Sequence, residues 1–298
     1  MATVERRLPR ILSTMTSDLQ KLRKIIAKTF RKAKRWYLAY LVSQFVILLV
    51  GVISIFIAIN PSLSAMIAFL CVLAIEVVRW RSDCWKSEGE SAKRKWEIAD
   101  GFGTPLDCKK IADWLAAKPK GFLDDVASEE VSGSEFYSAQ PPGVQRALEN
   151  TEESAWWSKH ESRMMVFYLW VILVCAIIVA FVALTVSIGS LKSGNVQQSG
   201  ATVQNVGGII CSVLVCVFSI NVIRLLADFY AFARTAEEVL EKCSQLLKSS
   251  HINEREALSV LHDYQSARNS APLLPTFVWK RHGDHWREQW MHFRPRSK

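Results

Sequence analysis

Apolar residues gather in four long stretches, at about 38–59, 62–78, 166–188 and 206–227, set as two pairs around a charged middle. A helix crosses the ~30 Å hydrocarbon core with ~20 predominantly apolar residues, and each stretch comes near or above that length. A helix packed on a soluble core keeps a polar face, whereas these stretches are apolar all round. The pattern predicts an all-α integral membrane protein with four transmembrane helices, arranged as two hairpins with cytoplasmic helical extensions. The segments are 1–37 (a basic amphipathic helix), 38–79 (hairpin), 80–165 (helical middle), 166–227 (hairpin) and 228–298 (helical tail).

Outside the apolar stretches the helical period persists. Leu19, Leu22, Ile26, Phe30 and Ala33 form a stripe before the first span. Trp85, Gly89, Ala92, Trp96 and Ala99 repeat that spacing after the second. After the fourth span, Leu225, Phe229, Phe232, Ala236, Val239, Cys243 and Leu246 alternate in steps of four and three, the signature of a helix-helix seam. Proline is tolerated in a first helical turn, so Pro141-Pro142 predicts the start of the helix entering the third span, with Val144, Leu148, Thr151 and Ala155 on its seam. Between the halves, Thr104-Pro105 opens a short helix over about 106–117. The acidic, Gly- and Ser-containing stretch 121–138 reads as an irregular connector.

Charge sets the orientation. Eleven Lys and Arg lie between Arg6 and Arg35, against Glu5 and Asp18. Cytoplasmic flanks collect Lys and Arg, so the N-terminus is expected inside, and four crossings return the middle and the tail to the same side. The expected location is a bacterial inner membrane, multi-pass, with both termini cytoplasmic. The outer connections are slight: Asn60-Pro61 is barely a turn, and 189–205 carries a single charge, Lys192. The net charge of +9 sits mainly in the N-terminal segment. Beside a span such a stretch reads anionic lipid at about 1 kcal/mol per cation, so the bilayer and not DNA is the expected anionic partner.

Catalytic chemistry has no positive sign. No GxxxxGK[ST], GxSxG, HExxH or GxGxxG is present, so the chain is not expected to be an enzyme. The seven cysteines form no CxxC pair, and Cys71, Cys175, Cys211 and Cys216 fall within spans. His282, His285 and His292 do not converge with Asp284 on one helix face, so neither metal nor cofactor is expected. Within the spans, polar residues are costly and carry information: Glu76 with Arg79 near the end of the second, Asn221 with Arg224 in the fourth. Arg79 and Arg224 read as snorkelling to headgroups. Glu76 and Asn221 fit either snorkelling or a polar path. Gly207-Gly208, Ser212 and Ser219 suit close helix packing, within one chain or between chains.

Three stretches, KRKWEIA at 93–99, FYSAQPPGVQRALENTEESAWW at 136–157 and YQSARNSAPLLPTFVW at 264–279, lie in the polar segments. With two span pairs and a charged middle, they give the chain a resemblance to the bacterial SMODS-associated four-transmembrane effector family. That resemblance implies an anti-phage membrane effector that senses a nucleotide second messenger made by an associated nucleotidyltransferase and then disrupts the inner membrane. A messenger site needs cations for phosphate and aromatic faces for bases. Lys93, Arg94 and Trp96 supply both on one turn, with Lys95 beside them. Arg146 beside Trp156-Trp157, and Arg268 with Trp279, Lys280 and Arg281, are the other candidates. The competing reading of each cluster is a solvated face or lipid contact. Four spans enclose no wide pore, so a permeabilising effector is expected to be a homo-oligomer, with 229–246 as the candidate contact, unless that seam buries against 19–26 within one chain. The alternatives are a constitutive channel or transporter and a non-catalytic membrane scaffold.

Overall fold

The computed structural model describes residues 8–56, 61–119, 121–128, 138–192 and 222–293. Among them the chain is all-helical, with eight helices and no strand. They are α1 (Leu8–Phe56), α2 (Pro61–Phe102), α3 (Cys108–Ala116), α4 (Phe122–Ala127), α5 (Val144–Lys192), α6 (Val222–Lys248), α7 (Glu254–Ser270) and α8 (Thr276–Phe293). The boundaries have local causes. Pro61 occupies the first position of α2, where its missing N–H leaves no bond unmade. Gly103 ends α2 in the left-handed region (φ 72°), donating its N–H to the Ala99 carbonyl at 3.0 Å. Asp107 caps α3 by accepting from the Lys110 N–H, and Asn253 caps α7 by accepting from the Arg255 N–H.

Two expectations are corrected here. The helix entering the third stretch starts at Val144, two residues after Pro141-Pro142, with the Ala147 N–H donating to the Gly143 carbonyl at 3.0 Å and the Gly143 N–H donating to the Gly101 carbonyl at 2.7 Å. The connector 121–138 contains α4, whose Phe122 and Val126 are buried. Positions 129–137 lie outside the described residues.

Two compact units divide the chain. The first takes its described residues from Met1–Lys34, Asp83–Glu161 and Phe232–Lys298, the three segments that the sequence marks as polar extensions. Its largest core joins Leu148 and Ala155 of α5 to Phe232, Val239 and Cys243 of α6 and to Ala257, Val260 and Tyr264 of α7. The seam read at 229–246 is therefore covered from within the chain by α5 and α7, and its unit-one positions are not a free face for a second copy. A second core sets Leu22 and Ile26 of α1 against Ala92 and Trp96 of α2, with Trp114 of α3 alongside. At Gly101 a Cβ would lie 2.9 Å from the Ala147 Cβ, so α2 and α5 approach here as only glycine allows.

The second unit comprises described residues of Arg35–Ser82 and Ser162–Ala231. Its apolar side chains point outward: Phe69, Leu70, Val77, Phe167, Ile177 and Phe181 are all more than half exposed. Tyr40, Gln44, Ile75, Met165 and Leu169 are buried. Among the described residues, one helix is long and apolar enough to cross a membrane, the Val144–Ile178 part of α5. Its most apolar 18 residues have mean hydropathy 1.9 and are 17% buried. A core helix of a soluble protein would be mostly buried. Much of the fourth predicted stretch, 206–221, lies outside the described residues.

Candidate functional site

One face of α2 carries Lys86, Glu90, Lys93, Glu97 and Asp100, in steps of four, three, four and three. That spacing stacks them along a single helix face, each one residue on from a position of the Trp85–Ala99 seam that packs on α1 and so about 100° around the helix from it. Each charge on it has a use. Lys86 donates to the carbonyls of Asn269 and Ala271, closing the C-terminal end of α7, where a cation also meets the negative end of the helix dipole. Asp100 accepts from Arg146 at 2.8 and 3.2 Å and from the Asn150 amide at 3.1 Å, which ties α2 to α5.

Arg268, in the last turn of α7, lies between the other two carboxylates. Its Nη1 and Nη2 donate to the two oxygens of Glu97 at 2.6 and 2.9 Å, and its Nε donates to Glu90 at 2.7 Å. Side chains of all three are less than a tenth exposed. Gln265 donates to Glu97 at 2.9 Å, and the guanidinium lies 5.2 Å from the Tyr264 ring centroid. The Tyr264 hydroxyl donates to the Ser154 carbonyl and shares a hydrogen bond with Ser158. Burial alone would push the Glu97 carboxyl up, but the Arg268 charge and hydrogen bonds hold it below the usual carboxylate value. Burial opposes charge on Arg268 too, and the carboxylates of Glu97 and Glu90 outweigh it, so the guanidinium stays protonated. Glu97, Asn150, Thr151, Ser154 and Tyr264 also border a cavity of about 10 Å³, roughly the space of one water, and the side-chain Oδ1 of Asn150 has no protein partner.

A third group joins Lys34 of α1, Lys93 of α2 and Glu161 of α5. Burial pushes the Glu161 carboxyl up to about 6 even though Lys34 and Lys93 pull it down, and burial also lowers the Lys34 ammonium.

The sequence candidates fare differently in this frame. Arg268 and Arg146 are neutralised inside the fold, so neither offers a free cation to a phosphate. Trp96 is core, 6% exposed against Leu22 and Ile26, and offers no ring face to a base. Lys93 lies among Glu97, Glu161 and Lys34. Arg94 is half-buried, with its Nε unmatched by any acceptor. Lys280 and Arg281 are exposed on α8. Trp279 packs on Trp157 at 4.8 Å in an aromatic run that continues through Trp156, His160, Trp286 and Trp290 and docks α8 on α5.

Of the tail histidines, His282 stacks on Trp286 and His285 bonds Gln289. Among the described residues no three His, Cys, Asp or Glu side chains converge to hold a metal. In the second unit, Glu76 is exposed and pairs loosely with Arg79 of its own helix at 3.9 Å, while Arg224 pairs with Asp228. Asn221, Gly207-Gly208, Ser212 and Ser219 lie outside the described residues. Gln44, with Ser82 and Ser162, is buried in this unit and was not singled out by the sequence reading, being a neutral side chain in an otherwise apolar stretch.

No protein-family model, curated protein or solved structure matches the chain.

Proposed function

We propose that this chain is a four-pass effector of a bacterial inner membrane. Its polar helical unit lies on the cytoplasmic face and receives a nucleotide second messenger, and the four helices carry the response into the bilayer. One observation supports this reading above the others. Three segments separated in sequence by apolar stretches share one compact unit, and α1, α2, α5 and α6 each continue from it into a unit whose apolar side chains face outward. A folded body cannot be divided across a bilayer, so an even number of crossings must separate consecutive segments. Outward apolar surface of this extent marks a lipid or protein contact. Continuous helices give a path by which repacking in the polar unit becomes movement in the membrane, provided a ligand distinguishes two packings by its affinity.

The resemblance supplies the messenger and the anti-phage context. Self-association follows from the small number of spans per chain, and its contact surface would have to lie away from the α6 seam. A non-catalytic scaffold is the second reading, favoured by the internal neutralisation of Arg146 and Arg268. Release of dye from liposomes containing the purified chain, challenged with cyclic and linear oligonucleotides, separates the two. Messenger-dependent release supports the effector. No release with any nucleotide, where a known pore-former works, defeats it.

A further inference from the structure

The two-turn stretch of α1 that carries Ile25, Lys28 and Lys32 faces a short helix, α4, that the sequence disguised as a linker. Phe122 of α4 is 1% exposed and stacks on Trp85 of α2, ring centroids 5.9 Å apart and planes 23° from parallel. One turn later, the Asp125 carboxylate lies 3.4 Å from the Lys28 ammonium and 3.6 Å from that of Lys32. The hydrogen bond from Lys28 leads the causes that hold the Asp125 carboxyl below its ordinary value. Lys32 is also 5.3 Å from the Trp85 ring centroid and 4.8 Å from that of Phe122. A third cation, Lys118, lies over Trp85 and Trp114 and pairs with Glu88. Among the described residues, this is where cations and aromatic faces interleave most closely, and part of the surface is supplied by a six-residue helix.

We propose that α4 is an internal plug, with Phe122 standing in for the ring and Asp125 for the anion of a nucleotide that binds between Trp85, Lys28 and Lys32. The physical case is one of matched parts. A flat ring stacked on an indole and an acidic group one helical turn away, shared by two ammonium groups, reproduce what a base and its phosphate present. A phosphate would serve the two lysines better than one carboxylate, since it brings more charge and more acceptor oxygens. The plug is held by few groups: Phe122 and Val126 are buried, Leu123 is more than half exposed, and Asp125 is about half exposed. Gly121 precedes the helix as its N-cap, in the left-handed region and with no side-chain cap. Displacing α4 would free the Lys28–Lys32 turn of α1, which continues into the second unit. This site differs from the clusters that the sequence suggested, and it rests on the effector reading for its consequence, not for its binding.

The test uses the full chain in nanodiscs of zwitterionic phosphatidylcholine and equilibrium dialysis with radiolabelled ADP. A plug that occupies the site lowers apparent affinity by the fraction of time it is in place, so Phe122→Ala with Asp125→Asn is expected to tighten ADP binding by roughly tenfold or more. Asp125→Asn alone removes no packing and guards against misfolding. Its expected gain is about two- to fivefold, the worth of a half-exposed ion pair. Adding Lys28→Gln and Lys32→Gln should erase both gains. Inorganic pyrophosphate, which has no ring, should gain less than ADP. Equal affinity in plugged and unplugged chains, or a gain that survives loss of both lysines, overturns the proposal. So does an equal gain for pyrophosphate, which would mark a plain anion or headgroup site. Tight ADP binding without liposome leakage would keep the cradle and sink the effector. Leakage with no effect of the α4 substitutions would do the reverse.

Discussion

Replacing Arg268 by methionine should be the most damaging single change in the polar unit. Methionine keeps an apolar stem but removes the charge, the guanidinium contact with the Tyr264 ring and three hydrogen bonds to Glu90 and Glu97. Two carboxylates, each less than a tenth exposed, would then face each other without their counter-ion. Removing one partner of a buried ion pair costs about 3–5 kcal/mol, most of it the uncompensated charge left behind. The control is Arg268→Met with Glu90→Gln and Glu97→Gln, which removes the ions together. Neutral replacement of a whole buried network is often close to neutral in stability, so at least half of the loss should return. Guanidinium unfolding of the full chain in detergent, followed by tryptophan fluorescence, reads both variants. The intact network also carries a pH signature. Glu97 has a depressed folded pKa, so its contribution is present at neutral pH and is lost as pH falls through that value. Glu97→Gln should therefore flatten the acid side of the stability profile. A loss below about 1 kcal/mol for Arg268→Met, the scale of an exposed pair, would refute the reasoning.

Two further substitutions probe other parts of the account. Glu161 has its carboxyl raised from 4.5 to about 6, so the neutral acid is the form the fold prefers. The stability it allows is complete below 4.5 and is lost as pH rises through about 6, by no more than about 2 kcal/mol. Glu161→Gln should stabilise the chain at pH 7.5 and leave it unchanged at pH 4.5, and an equal effect at both would contradict the assignment. Val239, 2% exposed in the α5–α6–α7 core, should not tolerate aspartate. Val239→Asp is expected to cost more than about 4 kcal/mol and to open the polar unit to protease at every protein concentration. Clean conversion of a stable oligomer to a stable, protease-resistant monomer would instead restore the seam as an intermolecular contact.

The apolar seams of this fold were legible in the sequence, and the charged ones were not. Phe232, Val239 and Cys243 announce a helix-helix contact by spacing, though not the identity of the partner, which proved to be α5 and α7 of the same chain. The Trp85–Ala99 run likewise announces a packed face, and Ala92 and Trp96 lie against Leu22 and Ile26. Lys86, Glu90, Lys93, Glu97 and Asp100 have the same heptad spacing, but charges along a helix usually mark a solvated face. What buries this set is Arg268, 171 residues beyond Glu97, and no local pattern reveals a partner at that distance. Phe122 and Val126 form a single i, i+4 pair amid aspartates and glycine, too short for a period to be read. The same limit hid the carboxylate partners of Arg146 and Arg268: a cation beside aromatics looks alike in sequence whether it awaits a phosphate or already holds a carboxylate.

The arrangement of the chain about a membrane is the claim on which the rest depends, and cysteine accessibility tests it directly. In a chain with its own cysteines replaced, single cysteines at Lys21, Lys109 and Arg255 sample exposed positions in each of the three polar segments. Single cysteines at Asn60 and Asn195 sample the two short connections. The account predicts that an impermeant thiol reagent applied to intact bacterial cells labels Asn60→Cys and Asn195→Cys, and labels the other three only after the inner membrane is opened. Labelling of any one of the three polar-segment positions in intact cells, with the other two protected, would place parts of one folded unit on opposite sides of the bilayer and contradict the four-pass arrangement.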